Sequence, residues 1–137
     1  MTSGTGRNAL QLLVLTTRIS DRLVVHTGTS TLSLDDITQT MQAWFEDPAF
    51  DSEKPVLWDL RQATIDLSGE DIAAWAEENV ERISARRTGR KTAWVFGDPE
   101  LAAAAVDLLG AYEWQHKVRI YHNDWEAATA WLTSTIR

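Results

Sequence analysis

Apolar residues recur along this chain in two alternating rhythms. Short runs of β-branched and aliphatic residues are separated by longer stretches with helical spacing. Residues 10–18 (LQLLVLTTR) and 22–27 (RLVVHT) flank a Ser20-Asp21 turn, which predicts a β-hairpin. Ser33 stands in the N-cap position with Asp36 three residues later, and Leu34, Ile37, Met41, Trp44 and Phe45 follow on one helical face. Pro48 closes that helix.

The next unit opens at Pro55 with the compact strand 56–60 (VLWDL). Ser68 is placed to cap a second helix, with Ile72, Trp75, Ala76, Val80 and Ile83 as its apolar stripe and Gly89 as its stop. Residues 92–96 (TAWVF) form another strand. Asp98 and Pro99 open a third helix, whose buried face is Leu101, Ala105, Leu108, Leu109 and Tyr112. Residues 118–121 give a last short strand. Asn123 is the expected cap of a final helix packed by Ala127, Ala128, Trp131 and Leu132.

The order is ββαβαβαβα. Helical crossovers between strands make those strands parallel, and the hairpin adds one antiparallel pair. The expected fold is α/β, a five-stranded mixed sheet with an N-terminal hairpin and four helices. A flexible tail is expected over 1–8 and a single domain over 9–137, since 137 residues suit one core.

Composition narrows the function classes. The chain has no cysteine, which removes disulfides and thiolate chemistry. Thirteen basic and 20 acidic side chains give a net charge of −7, which disfavours nucleic acid and anionic membranes. No window approaches the roughly 18 apolar residues of a spanning helix, and the run before residue 15 lacks a signal-peptide cleavage site. A cytoplasmic location is therefore expected.

The residues Val56-Leu57-Trp58-Asp59-Leu60-Arg61, then Leu67-Ser68-Gly69-Glu70-Asp71, and Ala127-Ala128 with Trp131-Leu132 carry a family likeness. From about Leu10 to Leu132 the chain resembles the bacterial STAS-like family, related to the sporulation anti-sigma-factor antagonists. It resembles more closely the small uncharacterised members grouped with the lipid-binding Sec14 fold. In the antagonists an Asp-Ser-Ser-Gly turn carries a phosphorylated serine. The matching stretch here is Asp66-Leu67-Ser68-Gly69, with Ser68 as the surviving serine. The resemblance implies a non-enzymatic regulatory or protein-interaction module with Ser68 as phosphoacceptor. The Sec14 relationship implies, as the alternative, a carrier of a small apolar or lipid-like ligand.

The residues themselves offer other candidates. Ser68 at a helix N-terminus suits a phosphate electrostatically, although Glu70 and Asp71 already occupy that end. Asp59 and Arg61 share one side of a strand, and Asp98 and His122 end the next two, so the four mark a candidate ligand or partner rim. The competing roles are an Asp59–Arg61 ion pair and a cap at Asp98. A small-molecule enzyme would need all four to converge, and a Ser68–His122–Asp98 triad lacks the glycines of a nucleophile elbow. Arg82, Arg86, Arg87, Arg90 and Lys91 form a candidate docking patch, or simply complement a helix C-terminus. His26, His116 and His122 are too scattered for a metal motif, and no phosphate loop is present, so no cofactor is expected.

Seven tryptophans remain. Trp58, Trp75, Trp94 and Trp131 fall on apolar faces and are expected in the core, whereas Trp44, Trp114 and Trp125 lie near helix ends and are expected half exposed. The expected partner is another protein, and a homodimer is the commonest assembly for so small a domain.

Overall fold

The computed structural model describes residues 14–65, 70–71, 73–78, 91–112 and 117–134. A hairpin of β1 (Thr16–Ile19) and β2 (Val24–Thr27) is followed by a two-residue β3 (Thr31–Leu32) and helix α1 (Leu34–Phe45). Strand β4 (Val56–Leu60) and a two-residue β5 (Thr64–Ile65) precede α2, whose described helical residues are 70–71 and 73–78. Strand β6 (Thr92–Phe96), α3 (Pro99–Tyr112), β7 (Val118–His122) and α4 (Trp125–Leu132) complete the order.

The main sheet runs β1-β2-β4-β6-β7. The β1–β2 pair is antiparallel and every other neighbour is parallel. The expected mixed five-stranded α/β sheet is therefore present. The small β3–β5 pair is an addition that two-residue strands do not announce in sequence.

Strand alternation divides the core between the two faces of the sheet. Val24, Val56, Trp58, Leu60 and Phe96 pack with Ile37, Met41, Trp44 and Phe45 of α1 and Leu101, Ala102 and Ala105 of α3, with Trp75 of α2 and Trp94 at the margin. Leu57, Ala93 and Val95 point the other way and meet Ala128 and Leu132 of α4. Among the described residues, three helices thus cover one face and α4 covers part of the other. Each fully buried aliphatic side chain, such as Val24, Leu57 or Val95, contributes about 1.5–3 kcal/mol.

The cap of α1 is as its sequence predicts. The Asp36 N–H donates to Ser33 Oγ at 3.1 Å, and the Ser33 N–H donates to Asp36 Oδ2 at 2.8 Å. The Trp75 indole N–H reaches Thr38 Oγ1 at 2.6 Å and ties α2 to α1.

Several expectations need correction. The cap of α4 is Asp124, not Asn123: Asp124 Oδ1 accepts from the Ala127 N–H at 3.0 Å. Asn123 instead takes φ 59°, the left-handed conformation that asparagine tolerates, and makes the turn out of β7. Strand β1 begins at Thr16, later than the predicted run, because Leu15 turns into the core at 4% exposure; residues 10–13 lie outside the described residues. Arg22 and Leu23 belong to the hairpin turn rather than to β2, and β7 reaches His122. Trp44 is buried at 3% exposure, because it faces the sheet at i+7 from Ile37. Trp58 is core, Trp75, Trp94, Trp125 and Trp131 are half-buried, and Trp114 lies outside the described residues.

Across the sheet, register lines up His26, Trp58 and Trp94 on the face beneath the three helices. Their rings meet in a row, His26 tilted by 42° to Trp58 and Trp58 stacked on Trp94. His26 and Trp58 centroids are 4.3 Å apart, and Trp58 and Trp94 lie 4.5 Å apart and nearly parallel. Fully buried His26 also shares a hydrogen bond with Thr17 Oγ1 at 2.8 Å, which ties the edge strand to this row.

Candidate functional site

Strand β4 is buried along its whole length, and its alternation places Asp59 with Leu57 on the α4 side of the sheet. Arg61 follows on the same side. Its guanidinium meets Asp59 in a fork: Nε donates to Oδ1 at 2.8 Å and Nη2 to Oδ2 at 3.0 Å. The Arg61 backbone N–H also points at Oδ1, at 3.4 Å. Two parallel charge-assisted bonds are the strong form of this pairing. The hydrogen bonds that Arg61 donates to Asp59 raise the Arg61 pKa above its ordinary value; partial burial opposes this, and the coulombic attraction adds to it.

The outer face of the same guanidinium lies over the Trp125 ring, 4.8 Å from its centroid. Trp125 is the first residue of α4. Asp59, Arg61 and Trp125 therefore form one stack that joins the end of β4 to the start of the helix. The chain leaving β6 crosses directly over this point. A Cβ at Gly97 would lie 2.1 Å from the Arg61 carbonyl oxygen, so only glycine fits there.

Asp98 is engaged as a helix cap. Its Oδ1 accepts from the Glu100 N–H at 2.9 Å and its carbonyl accepts from the Ala102 N–H at 3.1 Å. His122 is exposed, with Nε2 lying 3.3 Å from Asn123 Nδ2. The Asn123 N–H returns to the Phe96 carbonyl at 2.9 Å.

These four residues share a rim but not a face. Asp59 is in register with Val95 and Tyr121, whereas His122 pairs with Phe96 on the opposite side of the sheet. Two strand spacings, about 10 Å, separate the Asp59 and His122 backbones. Among the described residues no hydrogen bond or ion pair links Asp59 or Arg61 to Asp98 or His122. The rest of the rim is acidic, because Asp35, Asp36, Glu100 and Glu126 occupy the first turns of α1, α3 and α4.

Ser68 and its neighbours 66–69 lie outside the described residues, as do Arg82, Arg86, Arg87 and Arg90 of the candidate docking patch. Lys91 is described, and it holds the far end of α4. Its Nζ donates to the carbonyls of Trp131 at 2.9 Å and Ser134 at 3.2 Å. Trp131 also carries cations on its ring, with Lys91 Nζ at 5.2 Å and the Arg119 guanidinium at 4.7 Å. Helix α4 is thus fastened at both ends by a cation and a tryptophan.

Sequence reasoning placed Asp59 beside Arg61 but missed Trp125 as the third member. The missing signal is tertiary: α4 has to lie across β4 before its first residue can reach Arg61. Among the described residues no group of three or more His, Cys, Asp or Glu side chains is placed to hold a metal ion. Nor is any helix among them long and apolar enough to cross a membrane. Comparisons with protein-family models, curated proteins and solved structures return no significant match.

Proposed function

We propose that the chain is a non-catalytic, STAS-like interaction module, similar in design to the anti-sigma-factor antagonists, whose partner surface surrounds Ser68 at the start of α2. The observation that carries this reading is the strand order. Open α/β sheets hold small ligands in the crevice where the strand order reverses. The order β1-β2-β4-β6-β7 has no reversal. The polar side chains at the strand ends support the same reading, since Asp59 is occupied by Arg61 and Asp98 by the start of α3.

Phosphorylation would act through charge. After Gly69, Ser68 is followed by Glu70 and Asp71, so a phosphate there would concentrate negative charge at one end of α2. That is a strong signal to a partner docked on the same end.

The test is an intact-mass measurement on protein from its native host, paired with affinity capture on Ser68→Ala and Ser68→Asp. The expected result is a phosphate mapped to Ser68 and a partner retained by one variant and lost by the other. An unmodified Ser68, with both variants capturing the same proteins as wild type, overturns the switch. A stoichiometric copurified lipid in native mass spectrometry would favour the carrier instead.

A further inference from the structure

We draw no further inference here: the strongest candidate, the exposed edge strand β1 (Thr16–Ile19) with no strand beyond it among the described residues, carries nothing because nothing in the structure shows what covers it.

Discussion

Gly97 crosses the Arg61 backbone so closely that an added methyl would sit 2.1 Å from the Arg61 carbonyl oxygen. The contact is backbone against side chain, so no rotamer change relieves it. Gly97→Ala is expected to cost about 1–3 kcal/mol, the range for overpacking, and to move Arg61 off Trp125. Urea denaturation gives the first number, and the part of the tryptophan emission change that disappears in a Trp125→Phe background reports the second. An unchanged midpoint would mean that the β6 exit loop yields freely.

The Arg61 stack on Trp125 and its fork on Asp59 both need a flat guanidinium. Arg61→Lys keeps the charge but loses the second hydrogen bond and the planar contact, and is expected to cost about 1 kcal/mol. A double-mutant cycle of Arg61→Lys with Trp125→Leu is expected to give a coupling of about 0.5–1 kcal/mol. Zero coupling would show that the two contacts act independently.

The pH dependence of that deficit has a defined sign. The Arg61 pKa is raised, so its contribution is present below the unfolded value and is lost only as the pH rises through the folded value. Stability of wild type relative to Arg61→Gln is therefore expected to stay constant from about pH 6 to 9, where arginine does not titrate. A slope in that window, measured by denaturation at several pH values, would implicate another group.

The Ser33–Asp36 capping box satisfies two N–H groups at the start of α1. Ser33→Ala is expected to cost about 1 kcal/mol, and Ser33→Asp much less, because aspartate also caps. Thermal melts of the two variants separate capping from any packing role of the residue.

Thr17→Val removes the hydroxyl that reaches His26 Nδ1 while keeping the shape of the side chain. The expected cost is about 1 kcal/mol, and hydrogen exchange in β1 should quicken more than in β4. Uniform exchange across the sheet would show that the edge strand and the aromatic row open together.

Much of this molecule is legible from local pattern. The β4 and β6 strands match their predicted ends, since Pro55 and Arg61 bound one short apolar run and Lys91 and Gly97 the other. Ser33, Asp98 and Pro99 mark helix starts because capping chemistry is local. Asn123 and Asp124 were harder, for both are good caps, and the choice depends on which one the turn out of β7 drives into the left-handed region. The candidate site was half legible. Strand alternation puts Asp59 and Arg61 together, but the same alternation puts His122 on the other face once the register is known. Trp125 and Gly97 reach Arg61 only through the packing of separate elements, which spacing along the chain does not encode.

The strand order β1-β2-β4-β6-β7 also has a consequence for how the chain assembles. Each strand joins the growing edge left by the one before it, so none has to slip between two already paired strands. The sheet can grow in the direction of synthesis, with each crossover helix closing over the same side as it forms. Leu57, Ala93 and Val95 have no such helix until α4 arrives. The face that Asp59, Arg61 and Lys91 help to fasten is thus the last to be sealed, and before that moment a nascent chain presents it to whatever stands nearby.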